Sequence, residues 1–262
     1  MLLRETLDAV AAVLLAAPCR ICGTTLTTAS RIPICAPCLA GIQPVRDPKC
    51  TLCGRPFVSE VAMEALEPLC FECRDATYAF QRARSYAFYG DVLKSAIILL
   101  KFHAVNPLGG WFARRLESTI RTEFGGVAFD AVVPVPLHPA RLRERGYNQA
   151  ELIARPLARL LKLRLATFLL VRTKPRPPRL LLTFRERWET VRGAYETRRG
   201  AQVDKLRILL VDDVFTTGAT LDACSRALLA AGAASVCGIT VARVAEPSGA
   251  AESDSVASNT YS

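Results

Sequence analysis

Asp212 and Asp213 end a run of branched apolar residues, Ile208-Leu209-Leu210-Val211, and lead through Val214-Phe215 into the small-residue turn Thr216-Thr217-Gly218-Ala219-Thr220. Ionised carboxylates only accept hydrogen bonds, so an adjacent pair suits two vicinal hydroxyls that must each donate one, as in a ribose 2′,3′-diol. The turn offers consecutive backbone N–H groups and hydroxyls, and Gly218 lets the backbone close on an anion such as a sugar 5′-phosphate. A helix N-terminus alone favours an anion by only about 0.3–1 kcal/mol, so the turn's amides and hydroxyls must supply most of the hold. The surrounding pattern predicts the elements that position these groups. The apolar run reads as a buried parallel strand, and Leu221 to Ala231, rich in Ala and Leu and ended by Gly232, reads as the next helix. The groups then sit at a strand's carboxyl end, where open α/β sheets collect ligands.

The thirteen positions from Ile208 to Thr220 resemble the phosphoribosyl-pyrophosphate (PRPP) motif of type I phosphoribosyltransferases. Two plainer readings compete: a buried strand with a capped helix, and the acidic opening of a response-regulator receiver. The chain has too few residues after Asp212 for a receiver domain.

A second pattern carries metal chemistry. Four CxxC pairs fall within the first 73 residues: Cys19/Cys22, Cys35/Cys38, Cys50/Cys53 and Cys70/Cys73. A two-residue spacer brings two thiolates onto one ion, and the intervening stretches are long enough to form hairpins between knuckles. This predicts two tetrahedral four-cysteine zinc sites, each binding with an apparent energy of about 10–16 kcal/mol, enough to fold a segment with little core of its own. Disulfides and a redox CxxC are the competing readings. Spacing leaves open whether the pairs coordinate consecutively or in crossed order. Cys224 and Cys237 lie in the predicted helix and strand after Asp213 and read as small buried hydrophobes.

Residues 1–17 end in an apolar run before Pro18-Cys19, but Glu5, Asp8 and Pro18 do not suit a cleaved leader, and an amphipathic helix is expected there. No stretch is long and apolar enough to suggest a membrane span. A cytoplasmic setting, with reduced thiols available to zinc, is therefore expected. The expected organisation is a helix over 1–17, a zinc-stapled module over 18–75, an α/β domain over 76–245 and a disordered tail over 246–262.

Within the α/β domain, alternation predicts a strand over Arg82 to Tyr89, and spacings of three and four predict helices over Asp91 to Phe102 and Pro107 to Phe124. A strand over Asp130 to Val135, a helix over Tyr147 to Leu163 and a short strand over Leu165 to Val171 follow. Strands alternating with helices predict a mostly parallel sheet covered on both faces, with the Asp212 strand central. The stretch from Val133 to Gln149, PVPLHPARLRERGYNQ after its first Val, reads as a proline-rich loop. Arg141, Arg143 and Arg145 alternate along it and would project together from an extended chain towards a polyanion such as pyrophosphate. The plainer reading is a solvated basic loop. His138 and His103 read as structural residues.

With the cysteine pairs, the basic loop and the VDDVFTTGAT segment in this order, nearly the whole chain resembles the ComF family. That resemblance implies a double zinc ribbon ahead of a type I phosphoribosyltransferase fold. It further implies zinc, PRPP and Mg²⁺ as ligands, a role in competence or DNA utilisation, and single-stranded DNA and a ComFA-type helicase as partners. The chain departs from the family pattern where a Thr-x-x-Gln segment and a later Arg-Asn are usual. Here stand Arg176-Pro177-Pro178-Arg179 and Glu189-Thr190-Val191-Arg192.

The formal net charge is +10, and Arg172 to Arg199 holds nine basic residues against three acidic ones. Such a stretch could track a nucleic-acid backbone, with Phe184 and Trp188 stacking on bases; as an i, i+4 pair the two could instead face a core. Two functions fit the sequence. In the first, an enzyme, Asp212 and Asp213 hold ribose, Thr216, Thr217, Gly218, Ala219 and Thr220 hold phosphate, and Arg141, Arg143 and Arg145 meet the departing pyrophosphate. In the second the fold is kept as a nucleotide sensor or DNA-handling adaptor, with the zinc ribbons as docking surface.

Overall fold

The apolar runs of the sequence become a five-stranded, all-parallel sheet in the computed structural model, which describes residues 17–26, 30–57, 68–75, 78–175 and 184–244. Residues 1–16 of the expected N-terminal helix, the expected tail over 246–262 and the Arg176 to Arg179 departure lie outside the described residues. So do the side chains of Phe184, Arg185 and Arg187.

The sheet is built from β1 (Arg82–Phe88), β2 (Ala131–Pro134), β3 (Arg164–Leu165), β6 (Arg207–Phe215) and β7 (Ser235–Arg243), in the order β1-β7-β6-β2-β3. A separate antiparallel pair, β4 (Leu170–Arg172) and β5 (Tyr195–Thr197), stands beside it. The expected single strand over Leu165 to Val171 is thus two. After Ala166 donates its N–H to the Val132 carbonyl, the chain turns out of the main sheet and begins a new ladder against β5.

Helices α1 (Ala36–Ala40) and α2 (Phe71–Asp75) belong to the cysteine-rich module. The α/β domain carries α3 (Asp91–Phe102), α4 (Pro107–Glu123), α5 (Pro139–Arg145), α6 (Gln149–Leu161), α7 (Phe184–Val191) and α8 (Ala219–Ala230). In α3 the buried residues Leu93, Ala96, Ile97 and Leu100 follow the three-and-four spacing of one helical face. They pack with Leu116 of α4, Leu157 of α6, and Leu209 and Val211 of β6 in one core. Ile208 and Leu210 alternate to the other face and pack with Leu221, Cys224 and Leu228 of α8. Burial on both faces explains why β6 reads as a continuous apolar run.

The cysteine-rich module closes the outer edge of β1. Val45 donates its N–H to the Tyr86 carbonyl at 3.0 Å, Phe88 to Gln43 at 3.0 Å and Ala83 to Leu52 at 2.8 Å. An unpaired row of strand amides and carbonyls is thereby covered, removing an edge that would otherwise invite pairing with another chain.

Candidate functional site

Connections leave β2 and β6 in opposite directions. The chain from β2 runs through α5 and α6 to β3, whereas the chain from β6 runs through α8 to β7 on the other side. Neighbouring parallel strands that diverge in this way open a crevice at their carboxyl ends. Register places Pro134 beside Val211, so Asp212 and Asp213 flank the Pro134 to His138 segment at that mouth.

The two carboxylates do not share one face. Successive strand side chains alternate, and Asp213 turns to the α3 side, where its Oδ2 lies 2.6 Å from the Nζ of Lys101. Asp213 is buried and Asp212 half-buried. Asp212 leaves on the α8 side: burial, and after it the Asp212 charge, push the Cys224 thiol well above its ordinary value. Asp212 also bends back locally, its Oδ1 accepting the Asp213 N–H at 2.8 Å. The strand therefore presents one carboxylate in a buried ion pair and one on the opposite side of the crevice, rather than a side-by-side pair. Lys101 has no motif in the sequence; its one signal is that it stands four residues after the buried Ile97 of the same helix.

The small-residue turn is shaped by its surroundings. Gly218 caps α8 with φ of +80° and ψ of −7°, a left-handed conformation that favours glycine. A Cβ there would meet the Phe215 Cζ at 2.8 Å and the Tyr78 Cε1 at 2.9 Å. The Thr217 carbonyl accepts the Tyr78 hydroxyl at 2.9 Å, and Asp222 Oδ1 accepts the Ala79 N–H at 2.7 Å. Residues 78–80, just after the last cysteine of the ribbon, thus brace the turn from behind. The α8 N-terminus keeps first-turn N–H groups that have no partner within the helix, as an anion site requires. Thr216 and Thr220 are half-buried beside the buried Thr217 and Ala219.

The arginine segment is not the extended loop that its prolines suggest. Pro139 occupies the first turn of α5, the His138 side chain caps it by accepting the Ala140 N–H through Nδ1, and Gly146 ends it at φ of +81°. Proline is tolerated at a helix start, where its missing N–H is not needed, and this reverses the loop expectation. Arg141 and Arg145 then share a helical face while Arg143 points away and is exposed. Arg145 lies over the Phe102 ring at 4.9 Å. Burial pushes its guanidinium below its ordinary value, with the Arg141 charge adding and the Asp213 charge opposing. The next residues lock the segment down. The Tyr147 hydroxyl donates to the Leu100 carbonyl at 2.6 Å, and Asn148 caps α6 while its amide donates to the Val135 carbonyl.

Of the basic stretch beyond, Arg172 is buried, donating to the Tyr195 hydroxyl at 3.0 Å and to the Lys174 carbonyl. The Trp188 ring lies 5.5 Å from that of Tyr78. Arg192, Arg198 and Arg199 are exposed.

The eight N-terminal cysteines form two clusters, Cys19/Cys22/Cys35/Cys38 and Cys50/Cys53/Cys70/Cys73, with each set of sulfurs lying within 4.8 Å of one another. The CxxC pairs are therefore used consecutively, which spacing alone leaves open. Sulfur separations of 4.0 Å for Cys19–Cys38, 3.6 Å for Cys22–Cys35 and 3.7 Å for Cys53–Cys70 are far beyond a disulfide. They match the edge of about 3.8 Å that four Zn–S bonds of about 2.3 Å give a tetrahedron. Both clusters fit structural zinc.

A family model described as a double zinc ribbon domain matches residues 10–77. Over 223 residues the chain is 30% identical to "Competence protein ComFC" of Bacillus subtilis (strain 168), covering 80% of this chain and 84% of that one. The chain belongs to the ComF family. It is also 30% identical over 221 residues to "DNA utilization protein YhgH" of Salmonella typhimurium, covering 83% of the ComF chain described here and 93% of the relative. Its architecture is a double zinc ribbon followed by an α/β domain with a mostly parallel sheet flanked by helices. Solved adenine phosphoribosyltransferase from Saccharomyces cerevisiae matches at 14% identity and a TM-score of 0.35, covering 56% of this chain and 72% of that one. A likeness of that extent lends weight to no particular substrate. Among the described residues of this ComF protein, no helix is long and apolar enough to cross a membrane.

Proposed function

We propose that the crevice between β2 and β6 binds PRPP with Mg²⁺ and transfers its phosphoribosyl group, in the service of DNA uptake or utilisation. The observation that carries this reading is the convergence of three kinds of group at one switch point: the Asp212 and Asp213 carboxylates, the Gly218-capped α8 N-terminus, and the cations Lys101 and Arg145. Asp212 and Asp213 would accept from the ribose hydroxyls from the two sides of the strand. The Thr216 to Thr220 turn would hold the 5′-phosphate. Negative charge builds on pyrophosphate as it leaves, so Arg141 and Arg145 act where that charge develops. Arg143, on the far side of α5, is better placed to meet solvent or a larger polyanion. Mg²⁺, when bound, orients pyrophosphate and offsets its charge.

The names of the relatives, a competence protein and a DNA utilisation protein, support a DNA-linked role. Single-stranded DNA fits the exposed Arg192, Arg198 and Arg199, and a ComFA-type helicase fits as partner. Trp188, packed towards Tyr78, supports its core-facing reading over base stacking. A cytoplasmic setting follows from the reduced thiols that zinc requires. The adaptor or sensor reading draws on the replaced Thr, Gln and Asn of the family pattern.

Calorimetric titration of the zinc-loaded protein with PRPP and Mg²⁺, beside Asp212→Asn/Asp213→Asn, tests the proposal. Saturable binding that the variant loses is expected. Absence of binding by the folded, zinc-loaded chain overturns it and makes single-stranded DNA the next ligand to titrate.

A further inference from the structure

Arg243 ends β7 with its side chain almost wholly buried, and its partners are unusual for a core guanidinium. One terminal nitrogen donates to the Cys53 carbonyl at 2.8 Å and the other to the Cys53 sulfur at 3.4 Å. The same guanidinium lies over the Phe215 ring, 4.5 Å from its centre. Phe215 is the last residue of β6, and its ring is what a Cβ on Gly218 would strike. A single cation therefore touches a ligand of the second cysteine cluster and the aromatic floor of the proposed phosphate turn.

We infer that Arg243 is a positioning residue that couples the second zinc site to the phosphate turn. Four thiolates on one Zn²⁺ carry a net charge of −2, and a cluster buried on all four cysteines needs a nearby cation to offset it. Arg243 supplies that charge through a charge-assisted fork, and its orientation towards Cys53 fixes its face on Phe215. A second route runs in parallel, since Tyr78 and Ala79 tie the chain just beyond Cys73 to Thr217 and Asp222. Filling the second cluster thus orders residues 215–220, whereas no hydrogen bond or ring contact of this kind joins the first cluster to the turn among the described residues. Coupling of this kind is reciprocal, so a ligand held by the turn slows zinc loss from the second cluster. That last consequence rests on the proposed PRPP site; the ordering of the turn does not.

The test uses the full zinc-loaded chain with excess chromogenic chelator, and amide exchange over residues 215–220 measured before and after zinc removal. In Arg243→Gln one of the two zinc-release phases quickens by about 10- to 100-fold and the other holds, as for loss of a partner that orients a metal ligand. Amides of 215–220 exchange faster in the same variant while zinc is still bound. Arg243→Lys guards against a variant that fails to fold. It keeps the charge but cannot span both Cys53 atoms, so its fast phase remains quickened. Release phases matching the wild type in Arg243→Lys, or unchanged exchange at 215–220 after the second zinc is removed, overturn the inference. In a third arm PRPP with Mg²⁺ slows the Arg243-dependent phase in the wild type only. Slow release unaffected by PRPP that calorimetry shows to bind overturns the reciprocal coupling. If PRPP does not bind at all, the proposed function fails while the exchange arm still decides the role of Arg243.

Discussion

The two cysteine clusters share a ligand set and a CxxC spacing, yet the fold treats them differently. In the first, Cys19 is buried, Cys35 and Cys38 are half-buried and Cys22 is exposed; in the second all four are buried. The first borrows its N–H···S contacts from the local backbone of Ile21 and Cys35 and reaches the α/β domain through apolar packing and the residue 43–45 pairing with β1. The second is held by long-range ionic and polar ties. Arg243 grips Cys53, Arg84 donates to the Thr51 carbonyl at 3.0 Å, and Lys49 and Arg84 share the Glu123 carboxylate of α4 at 2.5 and 2.9 Å. One motif thus makes a surface staple in one place and part of the domain core in another. What separates them is the set of buried cations that sequence-distant strands bring to the second cluster.

The largest expected effect breaks this contrast directly. Cys53→Ser removes a ligand from a site whose metal contributes about 10–16 kcal/mol in comparable zinc modules, more than the whole stability of most domains. The variant loses its cooperative thermal transition, whereas Cys22→Ser keeps the transition of the α/β domain and one zinc per chain. Circular dichroism melts together with metal content check this, and equal losses in the two variants would show that the clusters are equivalent.

A smaller effect asks whether the candidate site obeys the rule that the second cluster suggests, a buried charge held by a distant cation. Lys101→Met leaves the buried Asp213 carboxylate unpaired, at an expected cost of about 3–5 kcal/mol. Adding Asp213→Asn recovers most of that loss, because an amide carries no charge to leave stranded. Urea denaturation of the single and double variants measures both. A Lys101→Met loss that Asp213→Asn fails to relieve would mean that Lys101 acts through packing alone.

The sequence makes visible those features that depend on neighbours along the chain. The β6 run, the following helix, the CxxC pairs and the helices of the other face all follow local periodicity or spacing. Gly218 is legible for the same reason, since a left-handed helix cap is a local demand. One local reading fails instructively. Prolines in PVPLHPARLRERGYNQ suggest an extended loop, but one of them starts α5, which separates Arg143 from Arg141 and Arg145. Adjacency of Asp212 and Asp213 in sequence also leaves unsaid that strand pleating sends them to opposite faces. What the sequence hides is set by tertiary position: Lys101 on Asp213, Tyr78 on Thr217, and Arg243 on Cys53, the last separated by 190 residues. No window of sequence contains both members of such a pair.

The smallest effect lies at the amino-terminal ends of two interior strands and sharpens the contrast by acting as its control. Arg207, at the start of β6, grips Asp130 just before β2, with Nε and a terminal nitrogen at 3.0 and 2.8 Å and its backbone N–H at 2.8 Å. The Arg207 side chain, then its backbone N–H, hold the Asp130 carboxyl down to about 2. A lowered folded-state value adds stability that is complete above the ordinary carboxyl range near 4 and fades as pH falls towards 2. Both groups are solvent-accessible, so the contribution is small and salt-sensitive. Zinc needs thiolates, so acid strips the metal before Asp130 takes up its proton, and the exposed first cluster empties ahead of the buried second. An acid titration followed by zinc release and by tryptophan fluorescence is therefore expected to show two zinc steps, and the second ends the fold before the Asp130 carboxyl takes up its proton. Asp130→Asn leaves both zinc steps in place and lowers the urea midpoint only slightly at neutral pH, where the ion pair is complete. If instead the variant shifts either zinc step, the amino-terminal ends of the interior strands are coupled to the ribbon, and the buried cations alone do not explain the difference between the two clusters.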